Sequence, residues 1–344
     1  MKQLPLLPPL SLSHQDFVYT RMKALNWVTS GGLNPKMVSV DSIKSLETLL
    51  QTASQNTKPL VVNFQGVVDV QERVGEIIRP HLQNQKNSLI VLNCSRLLTR
   101  LKAEFGRTKR ILDEDSYDCA VFGGTQFEFK DLKGFYDNAA ELENKTVRNY
   151  VNLSFRPFDH EKRLHSTPLL ASGVFNARSI ISSREQFIWT TLLMAEHLER
   201  SLEVMETEFA SKGSSGGVPS RILAVSLRAS PIAAAISLVS SRELPVEIVD
   251  HMGPKHVIME EHSLAGGAQG IQYVYVGDFL IGGTELKTAQ MYAISKGCRV
   301  GCALVLGHWL PIQDYKDNLG PHLTFTSLVD LSSCRDDATI RWTK

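Results

Sequence analysis

At 344 residues, 43% of them hydrophobic and 21% charged, the chain is long enough to bury a sizeable core and to divide into two domains. Lys and Arg number 37 against 36 Asp and Glu, a net charge of +1, so no global charge recruits DNA, RNA or an anionic membrane. No run of about 18 apolar residues occurs, and no transmembrane helix is expected.

Residues 1–13 are rich in Leu and Pro but carry no small-residue cleavage site after an apolar run, and do not read as a signal peptide. Cys94, Cys119, Cys298, Cys302 and Cys334 are odd in number and scattered, which fits reduced thiols in a cytoplasm better than a disulfide framework. Cys298 and Cys302 lack a second pair at zinc-site spacing and read as buried structural thiols.

In chain order, Pro59 to Phe64 is a short apolar run, and Val70, Val74, Ile77, Ile78 and Leu82 then fall at helical spacing. Ser88 to Leu92 is a second strand-length apolar run, followed by Leu97, Leu98, Leu101 and Phe105 on one side of a basic helix. The basic residues Arg96, Arg100, Lys102, Arg107, Lys109 and Arg110 read as a solvated helix face. Around Gly123-Gly124 and Phe127-Glu128-Phe129 the alternation predicts a hairpin. Residues 1–150 are thus expected to form a small α/β domain. Its order of strand, Asn63-Phe64-Gln65-Gly66-Val67, helix and strand loosely resembles the STAS-like domains, which implies a role in protein contacts; a generic α/β layer is the alternative.

The pattern is clearer over residues 151–344. Ile188, Leu192, Ala195, Leu198, Leu202, Met205 and Phe209 lie at steps of three and four between Arg184 and Ala210, the stripe of a helix packed on one side. Lys212 to Gly217, rich in Gly and Ser, ends it. Arg221 to Leu227 is a near-continuous apolar strand of the kind buried on both faces in a parallel sheet, and Pro231 to Leu238 starts a helix with Pro in its first turn. Val246 to Val249, Tyr273 to Val276 and Val300 to Leu306 repeat the strand pattern. The alternation predicts an open, mainly parallel α/β sheet whose ligand lies at the carboxyl ends of the strands. No Walker A pattern or G-x-G-x-x-G after a strand appears, which leaves P-loop and dinucleotide readings little support.

Three segments carry chemistry: Leu169-Leu170-Ala171-Ser172-Gly173; Ser226-Leu227-Arg228-Ala229-Ser230-Pro231; and the strand, Asp and glycine turn from Tyr273 to Glu285. In this order they resemble, respectively, the strand that opens the hood, the pyrophosphate loop and the phosphoribosyl-pyrophosphate motif of type I phosphoribosyltransferases, nearest in layout to orotate phosphoribosyltransferases. The resemblance implies a hood over the parallel sheet, a phosphoribosyl or nucleotide ligand, and Mg²⁺ bound with phosphoribosyl pyrophosphate. It assigns ligand contacts to Arg228, Ala229, Ser230, Lys255, Asp278, Gly282, Gly283 and Thr284, and both catalysis and metal contact to Asp278. A turn of small residues opening a helix suits a phosphate, because unpaired N–H groups and the positive end of the helix dipole face the anion.

The departures from the pattern are as informative. Gly277 stands where a first acidic residue is expected, removing a charge-assisted hydrogen bond worth roughly 1.5–3 kcal/mol. Ile281 replaces a polar or acidic residue. Glu285 falls at or beside a phosphate-contacting Ser/Thr position, where its charge would repel a phosphate; with none bound, it stabilises the helix N-terminus by about 0.3–1 kcal/mol. Arg228 is either an anion contact or a salt-bridging or solvated residue. Between Val249 and Gly270, where the family carries a mobile basic loop, Lys255 is the sole Lys or Arg and Glu260-Glu261 add negative charge. His251, His256 and His262 match no common metal spacing and read as loop residues.

These residues predict a divergent phosphoribosyltransferase-fold protein that binds a phosphoribosyl ligand or nucleotide with weak or no transfer, as a sensor or regulator. The alternatives are an active Mg²⁺-dependent phosphoribosyltransferase and a partner-binding scaffold, for example in a cytoplasmic phage-defence complex. The resemblance implies a homodimer.

Overall fold

A computed structural model describes residues 11–22, 24–29, 32–38, 46–50, 58–65, 67, 69–70, 72–83, 88–94, 97–105, 108–111, 118–123, 129–164, 169–211, 221–240, 242, 244–249, 272–310 and 323–342. The chain divides into two compact units, Met1–Lys145 and Thr146–Lys344.

The first unit holds a six-stranded sheet in the order β1-β2-β5-β6-β8-β7, made of β1 (Ser11–Ser13), β2 (Val18–Arg21), β5 (Leu60–Asn63), β6 (Ser88–Leu92), β7 (Thr108–Ile111) and β8 (Cys119–Gly123). β2, β5 and β6 run parallel, while β1 and β8 are antiparallel to their neighbours. β3 (Ala24–Thr29) and β4 (Gly32–Val38) form a separate antiparallel pair. Helix α1 (Glu72–Gln83) turns Val74 and Ile78 into the core with Leu60, Val62, Leu89 and Val91, and α2 (Leu98–Phe105) adds Leu101. The apolar runs read in the sequence are therefore the buried strands, and the helical stripe is the face laid on them.

Polar groups are also buried in this unit. Arg21 and Glu143 form an ion pair with side chains 3% and 6% exposed. The Tyr19 hydroxyl donates to the same carboxylate, and Asn63 Nδ2 donates to Tyr19 Oη at 2.9 Å. Buried charges are tolerable only when paired and hydrogen-bonded in this way.

Glu143 lies on α3 (Phe129–Leu153), which runs through the division between the units. Of the stretch expected to form a hairpin, residues 124–128 lie outside the described residues; Phe129 opens a 25-residue helix, and upstream β7 pairs antiparallel with β8. Buried Leu132, Ala139, Glu143, Val147 and Val151 recur at steps of four and seven. That helical period outweighs the short Phe-Glu-Phe alternation.

The second unit carries two sheets. β11 (Arg221–Ala224), β12 (Val246–Ile248), β13 (Gln272–Leu280), β14 (Arg299–His308) and β15 (Thr324–Asp330) form a wholly parallel five-stranded sheet in the order β12-β11-β13-β14-β15. From β11 the chain moves to β12 on one side, and from β13 to β14 on the other. The order therefore reverses between β11 and β13, the position where open sheets bind ligands beyond their strand ends. α4 (Ala177–Ser182) precedes α5 (Arg184–Ser211), which packs against β14, β15 and α6 (Ser230–Val239). On β13, Tyr273 and Tyr275 share a core with Leu286, Ala289 and Ala293 of α7 (Thr284–Ser295).

A three-stranded antiparallel sheet, β16-β10-β9, is built from β9 (Phe155–Arg163), β10 (Leu169–Phe175) and β16 (Ile340–Trp342). The strand containing Leu169 to Gly173 is its centre. A Cβ on Gly173 would lie 2.4 Å from the Phe155 ring and 2.5 Å from the Arg156 carbonyl oxygen, so glycine permits this close strand approach. Phe155 meets Phe175, and Phe175 meets Phe279 at a centroid separation of 5.6 Å, which ties the small sheet to the end of β13. Among the described residues no helix is long and apolar enough to cross a membrane. The described Cys94, Cys119, Cys298 and Cys302 are buried free thiols, and Cys334 is partly buried and also free.

Candidate functional site

The site forms at the carboxyl ends of β11 and β13. After β11 the chain bends at Ser226 and turns through Leu227, Arg228 and Ala229 into α6. Here the backbone closes on Ser226. The Ala229 N–H donates to the Ser226 carbonyl at 3.1 Å and to Ser226 Oγ at 3.2 Å, and the Ser230 N–H donates to the same carbonyl at 3.1 Å. Ser230 Oγ donates to it as well, at 2.8 Å. Pro231 has no N–H. Ala229 and Ser230, expected to meet a ligand, thus spend their donors within the loop, whereas Leu227 and Arg228 stand exposed at its tip.

β13 continues past the expected apolar core to Leu280 and delivers Asp278 as one of its buried residues. Asp278 Oδ1 accepts the Phe279 N–H at 2.7 Å. Burial raises its pKa above the ordinary carboxylate value, opposed by that hydrogen bond and by the Arg228 charge.

The turn 281–283 then opens α7. Gly283, its N-cap, has φ +76°, the left-handed region that glycine enters at no steric cost. No side chain caps this N-terminus, and the first helical bond runs from the Lys287 N–H to the Gly283 carbonyl at 3.0 Å. The first-turn N–H groups, from Thr284 to Leu286, therefore have no partner within the helix. Gly282, Gly283 and Thr284 supply the turn that the sequence predicts.

Two residues outside the expected set complete the cluster. The Tyr275 hydroxyl donates to Glu285 Oε2 at 3.4 Å, and Ser226 lies beside this carboxyl, lowering its pKa slightly. Burial and then the neighbouring Asp278 raise the Glu285 pKa from 4.5 to about 7, against the opposing charge of Arg228. The Tyr275 phenol, fully buried, is held well above its usual value by burial, Glu285 and Asp278 in that order. A Cβ built on Gly277 would lie 2.6 Å from Tyr275 Oη and 2.9 Å from two of its ring carbons. The Tyr275 ring fills the space that any side chain at 277 needs. Glu285 was noted in the sequence as a departure, but its contact with Tyr275 depends on side-chain directions at the strand end that spacing does not encode.

The arrangement thus sets one buried and one half-buried carboxyl and two hydroxyls against one guanidinium, beside an uncapped helix start. Asp278, expected to catalyse and to hold a metal, is protonation-prone and already engaged by Phe279. Among the described residues no group of three metal-ligating side chains assembles, so these residues do not fit a Mg²⁺ held by the protein alone. Lys255, His251, His256 and His262 lie outside the described residues.

No family model matches the chain, and no curated protein matches it. Solved structures do show likeness in fold. The orotate phosphoribosyltransferase of Aeropyrum pernix is similar at 17% identity, over 56% of this chain and 94% of its own, with a TM-score of 0.38. The adenine phosphoribosyltransferase of Thermoanaerobacter pseudethanolicus is similar at 14% identity, over 55% of this chain and 99% of its own, with a TM-score of 0.37. The UMP synthase of Leishmania donovani is similar at 11% identity, over 86% of this chain and 81% of its own, with a TM-score of 0.40.

Proposed function

We propose that residues 146–344 bind a phosphorylated ribose or nucleotide at the carboxyl ends of β11 and β13, with little or no phosphoribosyl transfer, and that the protein works as a sensor or regulator of that ligand. The observation that carries this reading is the Tyr275 ring standing over Gly277. A retained phosphate turn at 282–284 supports ligand binding, because its N–H groups and the α7 dipole favour an anion. The plugged position 277 and the Tyr275–Glu285 contact argue against transfer: no second carboxylate is available beside Asp278 to grip ribose hydroxyls. Without that grip the site lacks the fixed positioning from which phosphoryl and pentosyl chemistry gains most of its rate.

In this reading the turn 282–284 holds a phosphate, Asp278 faces the sugar hydroxyls, and Arg228 offsets the charge of Asp278 and Glu285. Mg²⁺ would enter only with a ligand that brings its own oxygens.

Calorimetric titration of the full chain with phosphoribosyl pyrophosphate and Mg²⁺, with pyrophosphate release followed in the same sample, tests it. Binding without release is expected. Release would replace the reading with an active transferase, and absence of binding at millimolar ligand would remove it.

A further inference from the structure

The loop 226–230 and the Asp278–Glu285 pair bear on which phosphorylated ligand fits, an inference that rests on the reading just given. A sugar carrying one phosphate and a sugar carrying an additional diphosphate differ in what they ask of a site. The second needs more hydrogen-bond donors and more positive charge, and it needs them next to the first anion.

This loop offers less of each than its length suggests. The Ala229 N–H, the Ser230 N–H and the Ser230 hydroxyl all close onto Ser226, and Pro231 has no N–H to offer. Opening the loop to reach them would break these bonds, each worth about 0.5–1.5 kcal/mol net. The Arg228 guanidinium is the cation of this loop; it is exposed, and its charge is already felt by the Asp278 and Glu285 carboxyls, whose pKa values it lowers. Glu285 accepts from the Tyr275 hydroxyl at 3.4 Å, and Ser226 lies close enough to lower its pKa. Tyr275 in turn cannot give way easily, since it is buried in the core with Leu286 and Ala289.

We propose that the site accepts a singly phosphorylated ribose or nucleoside and discriminates against phosphoribosyl pyrophosphate, with Ser226 closing the diphosphate position and Glu285 repelling its charge. The site is matched to what remains after a diphosphate has departed, so the ligand belongs to the product side of a pentosyl transfer carried out elsewhere.

The test is a pair of calorimetric titrations of the full chain, with ribose 5-phosphate and with phosphoribosyl pyrophosphate, each with and without Mg²⁺. Ribose 5-phosphate is expected to bind at least about tenfold more tightly, a difference of about 1.4 kcal/mol. In Glu285→Gln both compounds should bind more tightly, phosphoribosyl pyrophosphate by the larger factor because it carries more charge, so that the gap narrows. Equal or tighter binding of phosphoribosyl pyrophosphate to the unaltered chain overturns the discrimination while leaving the phosphate site standing. An unchanged gap in Glu285→Gln overturns the role of Glu285. If neither compound binds at millimolar concentration, the binding reading itself falls and this inference falls with it.

Discussion

The Tyr275 hydroxyl occupies the space directly over Gly277, 2.6 Å from where a Cβ would stand, so the two positions are sterically locked to each other. Introducing Gly277→Asp alone should destabilise the chain by about 1–3 kcal/mol through overpacking, with a further cost for any carboxylate left without a partner. In a Tyr275→Val background the same change should cost less, because the ring is gone. Urea unfolding of the two single variants and the double variant gives the coupling, expected in the range of about 0.5–3 kcal/mol for residues in contact. Additive effects would show that the ring and position 277 are independent.

Glu285 sets a pH dependence whose direction is fixed by its environment. Its folded pKa of about 7 exceeds its ordinary value of 4.5, so the folded chain holds this proton more tightly than the unfolded one. The stability linked to it is fully present below about 4.5 and is lost as pH rises through about 7. Glu285→Gln should remove this slope, leaving the variant more stable than the parent above neutrality by on the order of 1 kcal/mol, about 2–4 °C in Tm. Thermal melts of both proteins from about pH 5 to about pH 8 check it; parallel curves would reject the assignment.

Phosphate binding should follow the same proton. As Glu285 ionises through about 7, its charge opposes an incoming anion, so affinity for ribose 5-phosphate should fall across neutrality and the fall should vanish in Glu285→Gln. Calorimetry at three pH values, with proton uptake read from buffers of different ionisation enthalpy, measures this directly. Proton release on binding would contradict it.

At Gly283 the backbone φ of +76° prescribes the residue. Gly283→Ala should cost about 1–2 kcal/mol from left-handed strain alone. It should also weaken phosphate binding, since the turn that aims the α7 N–H groups is displaced. Urea denaturation and titration of the same variant separate these effects, and a variant of parental stability would show that the turn adopts another conformation in solution.

In the first unit, Glu143→Ala would remove the ion-pair carboxylate of Arg21, whose side chain is 3% exposed, and the acceptor of the Tyr19 hydroxyl. A loss of about 3–5 kcal/mol is expected, whereas Arg21→Met combined with Glu143→Leu should restore much of it. If the single change costs less than about 1 kcal/mol, solvent reaches this pair.

Much of the parallel sheet was legible in the sequence because its central strands are buried on both faces, so Ile222 to Val225 and Val300 to Leu306 appear as near-continuous apolar runs. β13 proved longer than its apolar stretch: Asp278 sits inside the strand, a polar residue that the hydrophobic pattern alone would have placed beyond it. α3 was missed at its start because Phe127-Glu128-Phe129 mimics strand alternation, while the helical period depends on spaced residues, one of them the ion-paired Glu143. At the site, Asp278, Gly283 and Thr284 follow from the order of strand, acid and glycine turn. The roles of Tyr275 and Ser226 do not, since each depends on where a side chain or carbonyl points after the chain has folded. The self-closure of Ala229 and Ser230 onto Ser226 belongs to the same class.

The pairing of β10 with β16 joins Leu169, Leu170 and Ala171 to Trp342, Arg341 and Ile340 across the entire parallel sheet in sequence. During synthesis the early strand emerges with one edge vacant and stays so until residues 340–342 leave the ribosome. Assembly of the small sheet is therefore a late, long-range closure, slower than the local helices around it. A nascent chain halted before Ile340 would display an unpaired β10 edge, and exposed strand edges are templates for association with other chains. Residues 340–342 thus cover an edge of β10 that would otherwise stay open to pairing with other chains.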